Sequence, residues 1–259
     1  MAFALVTGAS GGIGLCIARE LAQRKIDLLL IARSEQKLLK TKSEFEEKYK
    51  IRVEVLSLDL SLPGSAQKVA AWIMQNSYPV NILINNAGYG TWGSIEKSEW
   101  TTLSNMMQLN MFSLAELCHV MLPELKKHNK SYILNVASTA AYQAVPTLAT
   151  YAASKAFVVL FTRGLRKEMS GSPVSVTCLS PGATSTNFID RAGMNSLKER
   201  AEKFSMKAED VARIAVNGMF KGKAEVIPGL VNWLSVQFTY LLPKTIIENI
   251  AAGLYKTKP

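Results

Sequence analysis

Near its start the chain makes a glycine-rich turn between an apolar run and an amphipathic segment: TGASGGIG, Thr7 to Gly14. A strand that feeds such a turn and reopens at once as a helix is a phosphate-binding arrangement. Glycines let the backbone turn tightly and let a pyrophosphate approach it, and the helix N-terminus offers free amides and the positive end of its dipole. The spacing, Gly8-x3-Gly12-x-Gly14, departs from the common G-x-G-x-x-G. A flexible loop is the alternative reading, but it leaves the helix that opens immediately afterwards unexplained.

The rest of the chain repeats this alternation. Seven short apolar runs read as strands: 2–6, 27–31, 53–58, 81–84, 132–136, 174–179 and 224–227. Their near-continuous apolar character suits strands covered on both faces. Between them lie helical patterns at 13–24, 34–49, 65–75, 97–127 (one helix or two), 150–169 and 207–220. Repeated strand–helix–strand units predict a parallel sheet with right-handed crossovers. No linker, repeat or low-complexity tract divides residues 1–259, so one domain is expected. The least regular stretch, 182–207, is a candidate substrate lid at the carboxyl edge of the sheet.

Composition narrows the function. Three widely spaced cysteines, Cys16, Cys118 and Cys178, and two histidines argue against a disulfide framework or a metal centre, and fit a reducing, cytoplasmic setting. His119, inside an apolar run, reads as a packed helix residue. The net charge of +10 suits a solvated lysine-rich surface, an anionic ligand or a lipid surface; no nucleic-acid motif accompanies it. The N-terminus reads as a strand rather than a signal peptide. The uncharged stretch 226–243 carries two prolines, a glycine and several polar residues, so it predicts a pocket wall, core helix or subunit contact rather than a span of about 20 apolar residues.

The end of the second strand carries coenzyme information. An acid there, about 20 residues past the glycines, would bind a free ribose 2′-hydroxyl. Here LLLIARS places Ala32 and Arg33 at that point, and a cation suits a 2′-phosphate. Ser10 and Ser34 could add hydrogen bonds to that phosphate or cap their neighbouring helices. A surface arginine ending a strand is the alternative for Arg33.

From residue 2 to about residue 187 the chain resembles the short-chain dehydrogenase/reductase family, in its compact YxxxK subfamily. TGASGGIG matches the family's TGxxxGxG, and Asp59 in LDLS stands at its adenine-contacting acid. Asn86, Ala87 and Gly88 belong to NNAG after the fourth strand. Asn110 lies in the following helix and Ser138 in NVAS. Tyr151 and Lys155 form YAASK, and Pro181, Gly182 and Thr186 form PGxxxT. The resemblance implies a single doubly wound Rossmann-type domain with a seven-stranded parallel sheet, binding NADP(H) and assembling as a homodimer or homotetramer. It implies that Ser138 polarises the substrate carbonyl, Tyr151 donates the proton, Lys155 binds the nicotinamide ribose and tunes Tyr151, and Asn110 holds a water. Gly8, Ser10, Gly12, Ile13, Gly14, Arg33, Ser34, Asp59, Asn86, Ala87, Gly88, Pro181, Gly182 and Thr186 would surround the coenzyme. Asn86 and Asp59 also have structural readings, the latter as a helix cap.

The residue chemistry points the same way. Tyr151 and Lys155 are four apart on a predicted helix and so share a face. A phenol titrates near 10, and a neighbouring ammonium favours its anion, so the tyrosine can work as acid or base nearer neutrality. The expected substrate is a small, mostly apolar ketone, aldehyde or alcohol, with Tyr89, Tyr142, Gln143, Val145, Phe188 and Met194 as lining candidates. A non-catalytic dinucleotide sensor would have lost part of the Asn110–Ser138–Tyr151–Lys155 set, which is intact. A peripheral, membrane-associated reductase of lipidic ketones is the other alternative, motivated by 226–243 and the basic charge.

Overall fold

Runs rich in Val, Ile and Leu satisfy a strand buried from both sides, and the computed structural model places them so. It describes residues 2–186, 188, 192–193 and 205–254. The strands of the main sheet are β1 (Phe3–Thr7), β2 (Asp27–Ala32), β3 (Val53–Ser57), β4 (Val80–Asn85), β5 (Ser131–Val136), β6 (Val174–Leu179) and β9 (Glu225–Val226). Two further strands of two residues each, β7 (Thr184–Ser185) and β8 (Met206–Lys207), pair with one another. The main sheet has seven strands, all parallel, in the order β3-β2-β1-β4-β5-β6-β9. The order reverses between β1 and β4. In a doubly wound sheet this opens a crevice at the carboxyl ends of those two strands, where dinucleotides bind.

The strand period of two sends alternate side chains to opposite faces. From β1, Ala4 and Val6 join the core under α1 (Gly12–Gln23), α2 (Glu35–Tyr49) and α7 (Ala208–Phe220). Phe3 and Leu5 join the core under α3 (Ser65–Gln75), α5 (Leu114–Leu125) and α6 (Ala149–Glu168). Two more helices, α8 (Leu230–Leu241) and α9 (Lys244–Leu254), follow β9.

Two expectations change, and a third falls largely outside the described residues. The helical pattern over 97–127 is not continuous: a 3-10 turn at Ile95–Lys97 precedes α4 (Trp100–Met107), and a π-helical turn at Gln108–Ser113 joins α4 to α5. Apolar periodicity continues through the turn, so pattern alone does not expose it. His119 is exposed on α5 rather than packed. The lid expected at 182–207 falls largely on positions 187, 189–191 and 194–204, outside the described residues, as does Met194; the flanks of that stretch are joined where Thr184 and Ser185 pair with Met206 and Lys207. Among the described residues no helix is long and apolar enough to cross a membrane, and no group of His, Cys, Asp and Glu could hold a metal ion.

Candidate active site

The glycine turn is shaped by its own packing. A Cβ on Gly14 would lie 2.5 Å from the Gly8 carbonyl oxygen and 2.3 Å from Asn86 Nδ2, so only glycine lets α1 start this close to the turn. Gly8 adopts a left-handed φ of 66°. Gly11, by contrast, has no atom of the described residues beyond its chain neighbours within 4 Å of where a Cβ would stand. No side chain caps α1 and no acid occupies its first turn, so Ser10 does not serve as a cap. Half-buried Ile13 packs against the core and holds the helix end in place. Among the described residues, uncapped amides at a helix start, open space over Gly11 and no acid in the first turn suit a pyrophosphate.

Asn86 ties the fourth strand to this turn. Its Nδ2 donates to the Thr7 carbonyl at 2.9 Å, and the Thr7 hydroxyl accepts from the amides of Asn86 and Ala87, each at 3.0 Å. The two strand ends that form the crevice are thereby locked together. On the far side of the turn, a Cβ on Gly12 would stand 3.4 Å from Thr186 Cγ2, which brings the PGxxxT segment onto the glycine turn. The Pro181 carbonyl accepts from the amide of Thr139, joining that segment to the end of β5.

At the end of β2, Arg33 is 61% exposed and its Nη1 lies 3.8 Å from Asp59 Oδ2, a loose surface pair of small energetic worth. Ser34 is the residue before α2, but its side chain makes no capping bond. Asp59 does not cap α3 either, since Gly64 stands at that position. Its carboxylate instead accepts from the amide and hydroxyl of Ser61, at 2.9 and 2.7 Å. Burial pushes the Asp59 carboxyl up, but the Ser61 bonds and the Arg33 charge outweigh it and leave it below the ordinary value. The edge of the crevice therefore presents a guanidinium and a hydroxyl to solvent.

The catalytic candidates converge at the carboxyl ends of β4 and β5. Ser138 follows β5, and its oxygen accepts from the Ala140 amide at 3.1 Å, capping the 3-10 turn Thr139–Tyr142. That bond uses the oxygen as acceptor and leaves the O–H able to donate. Tyr151 and Lys155 sit one turn apart in the first half of α6, both buried, at 8% and 5% exposure. Lys155 Nζ donates to the Val136 carbonyl at 2.9 Å and stands 5.9 Å from the centre of the Tyr151 ring. Burial pushes the Lys155 ammonium down to about 8.

Asn110 lies within the π-helical turn and is buried. Its side chain holds the segment after β4 by accepting from the Tyr89 amide (3.2 Å) and donating to the Tyr89 carbonyl (3.0 Å). It also donates to Ser154 Oγ at 3.0 Å, and Ser154 Oγ donates to the Tyr151 carbonyl at 2.7 Å. Gly88 must be glycine here, since a Cβ would stand 2.8 Å from Asn110 Oδ1. A π-turn widens the helix by one residue and often marks a functional site; here it sets Asn110 against both β4 and α6.

Sequence reasoning missed a polar rail beneath this site. Asn85 Nδ2 donates to Asn135 Oδ1 at 2.9 Å, and Asn135 Nδ2 donates to Thr162 Oγ1 at 3.0 Å, linking β4, β5 and α6. An asparagine in each of two apolar strands, in INN and LNV, was the available signal. Of the lining candidates, Val145, Tyr89 and Phe188 join an apolar cluster with Leu103, Met106, Leu148 and Tyr151. Tyr142 turns away: its phenol bonds Ser180 at 2.8 Å and donates to Glu225, and burial with that carboxylate pushes its titration up.

This geometry has relatives. The family model for short chain dehydrogenase matches residues 2–191. The chain is 30% identical over 240 residues to hydroxysteroid dehydrogenase-like protein 1 of Gallus gallus, covering 92% of this chain and 70% of that one. Curated relatives of this kind are longer, and the chain spans 60% to 70% of the length of three of them. Among solved structures, a short-chain dehydrogenase from Sphingobium yanoikuyae in complex with NADPH superposes with a TM-score of 0.82 at 28% identity, covering 93% of this chain and 94% of that one. A short chain dehydrogenase/reductase from Burkholderia phymatum in complex with NAD shares the fold, with a TM-score of 0.85 at 22% identity over 100% of this chain and 97% of that one. The chain belongs to the short-chain dehydrogenase family, oxidoreductases that use a nicotinamide dinucleotide to interconvert a carbonyl and an alcohol.

Proposed function

We propose that the chain is an NADP(H)-dependent carbonyl reductase or alcohol dehydrogenase in which Tyr151 is the proton donor and acceptor. The observation that carries this reading is the buried Lys155 ammonium, held by the Val136 carbonyl one helical turn below Tyr151. A positive charge beside a phenol stabilises its anion, so Tyr151 gives up its proton more readily than a free tyrosine does. The Ser138 O–H, with its oxygen already committed to the Ala140 amide, donates to the substrate oxygen and fixes it beside the Tyr151 hydroxyl. Tyr151 passes its proton to that oxygen during reduction and takes it back during oxidation. The nicotinamide, when bound, supplies or accepts the hydride. Leu103, Met106, Val145, Leu148 and Phe188 keep water from the reacting carbon and favour an apolar substrate. Asn110, through Ser154, holds the Tyr151 backbone in register with the end of β4.

The coenzyme follows from the rim of the crevice. The uncapped start of α1 at Gly11 to Gly14 takes the pyrophosphate, and Asp59, Ala87, Gly88, Pro181, Gly182 and Thr186 line the remainder. At the adenine ribose, Arg33, Ser34 and Ser10 offer a cation and hydroxyls that no internal cap consumes. An acid at the end of β2 would repel a 2′-phosphate; an arginine reverses that preference. A charge-assisted hydrogen bond contributes roughly 1.5–3 kcal/mol, so Arg33→Ala should weaken NADPH about ten- to a hundredfold and leave NADH little changed. The test is kcat/KM with each coenzyme over a panel of ketones and aldehydes. A parent that prefers NADH, or an Arg33→Ala ratio equal to the parent's, overturns the assignment.

A further inference from the structure

Helix α8 is built inside out. At 100° per residue, the arc turned to the protein carries Asn232, Val236 and Thr239, of which only Val236 is fully buried. The opposite arc, about half the circumference, is apolar apart from Gln237: Leu230, Val231, Trp233, Phe238, Tyr240 and Leu241 keep between 46% and 75% of their surface. Residues 226–243 contain no Asp, Glu, Lys or Arg. A water-facing helix shows the reverse pattern, and an apolar patch this continuous marks an interaction surface.

The geometry points to an anionic lipid surface as the occupant of this face. The two hydroxyls beside the apolar arc are already satisfied by their own helix, which leaves half-buried Gln237 as the polar residue within it. Ser235 Oγ donates to the Val231 carbonyl and Thr239 Oγ1 to the Val236 carbonyl, at 2.8 and 2.7 Å, so neither needs water. Trp233 and Tyr240 have the amphipathic rings that sit at a headgroup boundary. In α9, which follows at once, Ile246 and Ile250 are exposed as well. The charge beside the face is positive. Lys244, exposed, opens α9; Lys207, exposed, stands next to Met206, whose sulfur packs 4.0 Å from Asn232 Nδ2 under the start of α8. Glu248 is the only acid between residues 226 and 254. An anionic surface attracts these lysines and the chain's net charge of +10. An uncharged apolar arc flanked by lysines is how a helix lies in the plane of a bilayer interface.

The face adjoins the catalytic end. Tyr240 packs on Tyr142 in the 3-10 turn after Ser138, with ring centres 6.3 Å apart. Asn232 lies against Gly182, where a Cβ would be 2.4 Å from its Oδ1. Docking by α8 therefore holds this end of the sheet close to the lipid surface, where apolar substrates concentrate.

The test is co-sedimentation of the full chain with vesicles of phosphatidylcholine alone and of phosphatidylcholine with about 30% phosphatidylserine. The expected result is binding to the anionic vesicles, at least tenfold weaker for Leu241→Glu and measurably weaker for Lys244→Glu. Both variants should keep the parent's circular dichroism and its turnover of a water-soluble ketone, because their side chains point outward. A parent that stays in the supernatant with both vesicles overturns the proposal, as does a Leu241→Glu variant that binds like the parent. A dimer in sedimentation velocity that Leu241→Glu dissociates, without vesicle binding, assigns the face to a second copy and also overturns it.

Discussion

Replacing Lys155 by methionine should make the coenzyme-free protein more stable while removing its activity. The ammonium is buried and its titration falls from 10.5 to about 8, with burial as the cause. A depressed lysine binds its proton less readily folded than unfolded, so folding carries a penalty wherever the unfolded chain is charged. That penalty is full below about pH 8 and fades as pH rises towards 10.5, which means stability should climb across that window. The drop corresponds to about 3 kcal/mol. Methionine has nearly the same volume and no charge to desolvate, but it forfeits the bond to the Val136 carbonyl, worth about 1 kcal/mol. The net expectation near pH 7 is a gain of about 2 kcal/mol, shrinking to nothing or reversing above pH 10.5. Urea unfolding of both proteins across pH reads this directly. A variant less stable than the parent near pH 7, or two proteins whose stabilities run parallel with pH, would refute the claim that a buried charge is kept here at a cost. Coenzyme titration of the same variant should show weakened binding together with lost turnover.

Two other substitutions probe separate parts of the account. Tyr151→Phe should fold and bind coenzyme as the parent does, while turnover falls by about 10²–10⁴; stopped-flow reduction of a ketone measures it, and near-normal turnover would remove Tyr151 from the chemistry. Gly14→Ala should destabilise by about 1–3 kcal/mol although alanine favours helices, because its Cβ would meet the Gly8 carbonyl. Gly164→Ala, inside the C-terminal part of α6 with nothing among the described residues within 4 Å of the new Cβ, should instead stabilise by about 0.5–1 kcal/mol; thermal unfolding of the pair shows whether the sign changes as expected.

The sheet was legible because its strands are buried on both faces, which leaves runs such as LVT, LLLIA and ILIN with little alternation to misread. Strand bounds moved by a residue or two, as at β1 and β4, and the last expected strand shrank to Glu225–Val226. The contacts that hold the site together were not legible. Asn110 reaches Tyr89 and Ser154 only because the backbone widens at Gln108–Ser113, and no local pattern encodes that widening. The Asn85–Asn135–Thr162 rail joins residues far apart in sequence. The missing acid at the end of β2 points to Arg33 in the sequence, but its loose pairing with Asp59 is a tertiary fact. The sequence marks 226–243 as uncharged; that its apolar residues face outward follows from which few positions the protein covers, and composition does not carry that information.

The central claim is that this chain moves a hydride from a nicotinamide to a carbonyl carbon with Tyr151 as the proton donor. It is tested most directly by incubating the enzyme with ketones and NADPH deuterated at the nicotinamide carbon that transfers, and analysing the product alcohol by mass spectrometry. The account predicts deuterium on the carbinol carbon with the parent and almost none with Tyr151→Phe over the same time. An alcohol formed without the label, or labelled equally by the two proteins, would contradict it.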